Sequence, residues 1–128
     1  MRSPYNQYKL GNVFKFEGEY LNGEKNGKGK EFNDYGKLLF EGEYLNGKRS
    51  GKGKEYYYQN IDPLKFSYDM ERIRKEIESI KIGELMFEGE YKNGKRWNGK
   101  GKEYDDYFGS ELVYEGEYLK GEKCFKKE

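Results

Sequence analysis

Aromatic and charged residues alternate in Phe16-Glu17-Gly18-Glu19-Tyr20. The same pentapeptide returns at 40–44 and 87–91, and at 114–118 with tyrosine in first place. Alternation with period two predicts a half-buried strand. Asn22-Gly23 follows, a hairpin signal because both residue types tolerate positive φ. Residues 27–32 alternate again and predict the return strand, and residues 33–36 predict a second turn. Successive copies start 24, 47 and 27 residues apart. Such self-similarity means one small unit stacked on copies of itself, so function is expected in a surface rather than in a pocket of unique residues. The predicted fold is mainly β: an elongated antiparallel sheet of stacked β-hairpins with one inserted amphipathic α-helix.

The recurrent glycines sharpen this picture. Glycine inside a strand weakens it, so a repeated one marks the close approach of something bulky. Gly18, Gly42, Gly89 and Gly116 lie between two aromatics, and each of the first three return strands carries Gly-x-Gly. Large rings of one strand are therefore expected over bare backbone of its neighbour. The opposite face should bring Glu17 and Glu19 near Lys28 and Lys30, at roughly 0.2–1 kcal/mol per opposite-charge pair. Trp97-Asn98 adds a residue ahead of Gly99, read as a bulge or longer turn, and residues 108–110 lengthen the next connection.

Residues 59–82 break the repeat. Asp62 and Pro63 read as N-cap and first helical position. Phe66, Met70, Ile73, Ile77 and Ile80 form one apolar stripe, which predicts a helix over 63–82 stopped by Gly83. The favoured reading is that this helix covers the aromatic face and completes the core, since an exposed stripe invites aggregation. The alternative is a docking helix for a partner, a second copy or a membrane surface.

Composition narrows the chemistry. Of 128 residues, 34% are hydrophobic but 18% are aromatic, so Tyr and Phe must supply most of the buried area. Lys plus Arg (25) nearly balances Asp plus Glu (24), and no nucleic-acid partner is expected of so neutral a chain. With no histidine and a single cysteine, Cys124, neither a nucleophilic triad nor a common zinc site is expected. No catalytic residue, metal or cofactor is predicted, so the chain reads as a non-enzyme. Residues 94–100 imitate a phosphate-binding loop, but Gly101 stands where the magnesium-ligating Ser or Thr belongs. Asp105-Asp106 reads as a turn. No stretch is apolar enough to cross a bilayer, and the expectation is a cytoplasmic protein, possible peripheral membrane attachment included.

The pattern Phe16-x-Gly18-x-Tyr20-x-x-Gly23, followed by Gly27-x-Gly29, resembles the membrane occupation and recognition nexus (MORN) repeat. The match recurs in the second and third units, while the fourth reads Cys124-Phe125-Lys126 in place of Gly-x-Gly and looks like a cap. Many members carry histidine where this chain has Asn26, Ser50 or Asn98. The reading is one MORN-type domain over 1–128, with units at about 16–39, 40–58, 87–113 and 114–125 and the insertion at about 60–82. The resemblance implies a curved sheet with an aromatic-lined groove and a scaffold that binds a protein partner, for instance a helix. It also implies attachment to phospholipid as the second possibility.

Candidate partner anchors are Tyr20, Tyr44, Tyr91, Tyr118 and Trp97, the last placed at a turn and read first as local packing. Lys48, Arg49, Lys95 and Arg96 occupy equivalent turns and are the candidates for an anionic surface. Self-association, with the helix of one chain in the groove of another, is a further expectation.

Overall fold

The structure, a computed structural model, describes residues 12–59, 69–104 and 111–125. The strands are β1 (Lys15–Leu21), β2 (Glu24–Phe32), β3 (Leu38–Leu45), β4 (Lys48–Tyr58), β5 (Ile82–Lys92), β6 (Lys95–Tyr104), β7 (Leu112–Leu119) and β8 (Glu122–Lys123), with helix α1 (Met70–Glu78) between β4 and β5. The eight strands form one antiparallel sheet whose spatial order is the chain order. In each hairpin turn both residues take positive φ: 52° and 81° at Asn22-Gly23, 52° and 83° at Asn46-Gly47, 53° and 83° at Asn93-Gly94. This turn geometry carries the twist of the flanking strands, which is why Asn-Gly recurs there. The fourth turn does the same with Lys120 and Gly121.

Units meet through one shared register. Residues 27–31 of β2 face 44–40 of β3, residues 51–55 of β4 face 91–87 of β5, and residues 99–103 of β6 face 118–114 of β7. Each junction sets Gly-Lys-Gly-Lys-Glu against the alternating aromatic pentapeptide. The extra residue of the third unit leaves this register intact. Tyr91 pairs with Arg96 and Glu90 with Asn98, so Trp97 bulges out of the ladder inside the β5–β6 hairpin. Trp97 is thus a strand residue and not a turn residue. It is half-buried, close to Gly121 of the next turn, with the Lys92 ammonium 4.7 Å from its ring centre. Residues 105–110, which include the expected Asp105-Asp106 turn and the lengthened connection, lie outside the described residues.

The core is a single ladder of rings on one face. A Cβ on Gly29 would sit 2.5 Å from the Phe16 ring, and one on Gly53 would sit 2.6 Å from the Phe40 ring. Only bare backbone leaves that space. Each ring also meets the tyrosine of the next unit edge-on: Phe16–Tyr44 at 5.0 Å, Phe40–Tyr91 at 5.1 Å and Phe87–Tyr118 at 5.4 Å between centroids. Edge-to-face contact sets the positive rim of one ring against the negative face of another. Phe40 and Phe87 end up 0% and 1% exposed.

The inserted helix departs from expectation. Asp62, Pro63 and Phe66 lie outside the described residues, but α1 starts at Met70, with Asp69 as its N-cap. Asp69 has extended backbone (φ −77°, ψ 120°) and accepts from the N–H groups of Glu71 and Arg72 at 3.0 and 3.4 Å. A continuous helix over 63–82 is therefore wrong: an extended residue interrupts it at 69. At the other end Ser79 closes the helix, while Ile82 and Gly83, the latter with φ +66°, belong to β5. Nor does the helix complete the core. It buries no residue, it packs extensively on no strand, and Met70 and Ile77 are 76% and 52% exposed. The aromatic face needs no lid because its own cations close it.

Candidate functional site

Strand alternation puts Glu31 and Glu55 on the ring face, since they follow Gly-Lys-Gly-Lys in step with the glycines. There each clasps the next unit. The Tyr44 hydroxyl donates to Glu31 Oε1 at 2.5 Å, and Arg49 donates through Nε and Nη2 to the two Glu31 oxygens at 3.1 and 2.8 Å. One unit on, Tyr91 donates to Glu55, and Arg96 donates to both Glu55 oxygens at 3.0 Å. Arg96 continues to the Tyr118 hydroxyl at 2.9 Å and the Lys102 carbonyl at 3.1 Å.

The same cations roof the rings. The guanidinium of Arg49 lies 4.0 Å from the Phe40 ring centre and that of Arg96 lies 4.8 Å from Phe87. Lys25 takes the equivalent place 4.4 Å over Phe16. A cation over a ring face is attracted by the ring quadrupole, more so when desolvated.

Burial pushes the Glu31 and Glu55 carboxyls up. Hydrogen bonds and charge from Arg49 and Arg96, with Tyr44 and Tyr91 donating, outweigh it and hold both below the ordinary 4.5. Burial, then the neighbouring carboxylates, raises Tyr44 and Tyr91 above the ordinary 10.0. The signs follow. Depressed carboxyl values stabilise the fold above the unfolded-state value, and that stability is lost as pH falls through the lower folded values. Raised tyrosine values stabilise it below 10.0, and that is lost as pH climbs above 10.0. The urea midpoint is expected to stay level over roughly pH 5–9 and to fall on both sides. A midpoint that holds from neutral into strong acid would contradict the clasp.

The expected anchors therefore divide. Tyr44, Tyr91 and Tyr118 are 4–6% exposed and sit inside the clasps, out of a partner's reach, whereas Tyr20 is 60% exposed. Trp97 is half-buried. Of the basic candidates, Arg49 and Arg96 face inward to carboxylates, because residues two beyond Asn-Gly pair with tyrosines on the ring face. Lys48 and Lys95 are exposed. The four thus do not form one basic patch for an anionic surface.

A concavity among the described residues lies on the opposite face and is not aromatic. A trough of about 1010 Å³ crosses from β1 to β6, floored by the main chain of Gly18, Gly29, Gly42, Gly53, Gly89 and Gly99. One wall alternates in sign from strand to strand: Glu17, Lys30, Glu41, Lys54, Glu88, each in register with the next. The other wall carries Lys28, Glu43, Lys52, Glu90 and Asn98. Lys54 and Glu88 approach to 3.4 Å, and Glu19 accepts from the Lys28 N–H at 3.0 Å. The rings under Arg49 and Arg96 face away from this trough, while Tyr20 is exposed. A smaller hollow of about 550 Å³ lies beside the clasps. Leu39, Met86, Val113, Tyr57 and Tyr104 line it, and the two tyrosines stack at 4.4 Å.

Among the described residues no helix is long and apolar enough to cross a membrane. Against known proteins, the MORN repeat family matches residues 16–37, 40–60 and 87–106. No curated protein matches the chain. With three matched segments stacked as hairpins in one sheet, the chain belongs to the MORN repeat family.

Proposed function

We propose that this chain is a non-catalytic scaffold whose glycine-floored trough holds an extended segment of a partner protein. MORN repeats are in general interaction modules rather than catalysts. The observation that carries the reading is the trough itself. Six strands at about 4.8 Å spacing give it a length of about 24 Å. An extended segment of about seven residues covers that length. An extended chain fits, with the alternating walls fixing its register and direction through charge. Strand alternation adds exposed Leu21, Leu45 and Leu119 beyond the second wall as apolar anchors for a partner.

Lipid attachment has less support. With Arg49 and Arg96 turned inward, Lys48 and Lys95 remain, at about 1 kcal/mol each near an anionic surface. The apolar stripe of α1 is a second docking element, favoured by the exposure of Met70 and Ile77.

The test uses a charge swap. Lys52 and Glu90 face each other in register, so exchanging both (Lys52→Glu with Glu90→Lys) keeps the cross-strand pair and inverts the wall. Peptides selected from a displayed random library on the native chain are expected to bind the swapped chain about tenfold or more weakly. Selected peptides that bind both equally would remove the trough from the reading.

A further inference from the structure

The chain holds four aromatic pentapeptides (16–20, 40–44, 87–91 and 114–118) but three Gly-Lys-Gly-Lys-Glu runs (27–31, 51–55 and 99–103). All three runs are used, each against the pentapeptide that follows it. The first pentapeptide, in β1, is left over. β1 is the edge of the sheet, with no strand on its outer side among the described residues. Residues 1–11 contain no such run.

The mismatch shows in the side chains. At the first two internal junctions the preceding unit covers the tyrosine: Gly29 lies under Tyr44, 3.0 Å from the ring for an added Cβ, and Glu31 takes its hydroxyl. Tyr91 has Gly53 and Glu55 in the same places. Tyr20 has neither among the described residues, and it is 60% exposed where its counterparts are 4–6%. Phe16 is likewise only partly buried, whereas Phe40 and Phe87 are sealed. An exposed strand edge is a template for pairing.

We infer that the outer edge of β1 is a docking site for an extended Gly-Lys-Gly-Lys-Glu-type strand supplied by another protein. The internal junctions dictate how it lies. It runs antiparallel to β1, its first glycine faces Tyr20, and its central glycine faces Gly18. Its two lysines face Glu19 and Glu17, and its glutamate stands opposite Phe16, within reach of the Tyr20 hydroxyl. Strand addition draws affinity from main-chain hydrogen bonds and specificity from alternate side chains. The specificity groups here are a carboxylate for Tyr20 and Lys25, bare backbone under the Tyr20 ring, and two cations for Glu17 and Glu19. A second copy of this chain is not the natural donor, because its own three runs are already engaged. A chain ending in an unmatched return strand is.

A synthetic peptide of residues 25–33 tests this, titrated into the isotope-labelled full chain with amide shifts read by NMR. Shifts are expected in β1 and the Asn22-Gly23 turn. A peptide carrying Glu31→Gln, or a chain carrying Tyr20→Phe, is expected to bind about tenfold more weakly. Absence of shifts in β1 overturns the proposal. So does a Gly29→Val peptide that binds as well as the native one, because a side chain there has no room under a docked tyrosine. The charge swap at Lys52 and Glu90 leaves this edge untouched, so the two readings fail separately.

Discussion

Arg96→Ala is expected to cost about 3–5 kcal/mol and to lower the melting temperature by about 10 °C or more. The loss is large because one side chain does several jobs. Its fork binds both oxygens of Glu55, it donates to Tyr118 and the Lys102 carbonyl, and its plane roofs Phe87. Removing it leaves a largely buried carboxylate with the Tyr91 hydroxyl and only the more distant Arg49 guanidinium, 3.7 Å away. Arg96→Lys recovers only part, since an ammonium cannot make the two parallel bonds. Lys54→Ala is the control. Its partner Glu88 stands 3.4 Å away with both side chains about half exposed, and such pairs contribute about 0–1 kcal/mol. Urea melts of the variants measure the contrast. Equal losses at Arg96 and Lys54 would mean that the clasp does not hold neighbouring units together.

Gly42→Ala is expected to destabilise by about 3 kcal/mol, against the ordinary trend in which alanine in a strand is better than glycine by roughly 0.5–1 kcal/mol. The added Cβ would stand 2.6 Å from the Lys52 carbonyl oxygen and 2.7 Å from the Gly53 Cα. Both are backbone, so no rotamer change relieves the clash, and β3 and β4 must move apart. Since Gly42 also faces Gly29 of β2, the disturbance reaches the preceding junction. Thermal unfolding followed by circular dichroism reads the effect. A native-like melting temperature would mean that the strands do not approach as closely as the rings over Gly29 and Gly53 require.

Much of the architecture is legible in the sequence because two local codes agree. Period-two alternation around Gly18 names the buried face, and Asn-Gly names the turn, so strands, hairpins and rings over glycine follow. Glu17 opposite Lys30 follows from the same alternation. The code fails where one pattern serves two structures. Met70, Ile73, Ile77 and Ile80 look like a single apolar stripe, yet the helix ends at Glu78, and Ile82, expected to be helical, is already in β5. Asp69 is as good a cap by type as Asp62, and it is Asp69 that caps α1. Trp97 reads as a bulge or part of a longer turn, because an insertion beside Asn-Gly gives no sign of whether loop or strand absorbs it, and the bulge is what forms.

The site was harder to read, for a physical reason. Arg49 and Arg96 look like surface charges when taken as hairpin neighbours. Their role depends on Glu31 and Glu55, which lie 18 and 41 residues away in sequence. The available signal was parity: glutamate in step with the glycines falls on the ring face, where a carboxylate is not tolerated without cations. The same parity sends the groove to the other face, since rings closed over by guanidinium groups cannot line one.

The connection between β4 and β5 holds the inserted sequence, and the Gly-Lys-Gly-Lys-Glu pairing at that junction is the same as at its neighbours. Contacts that matter lie between neighbours in space, so whatever is grafted at such a connection hangs outside the weave. A lineage built on this plan is free to try new appendages there, one after another, while the fabric that carries them stays the same.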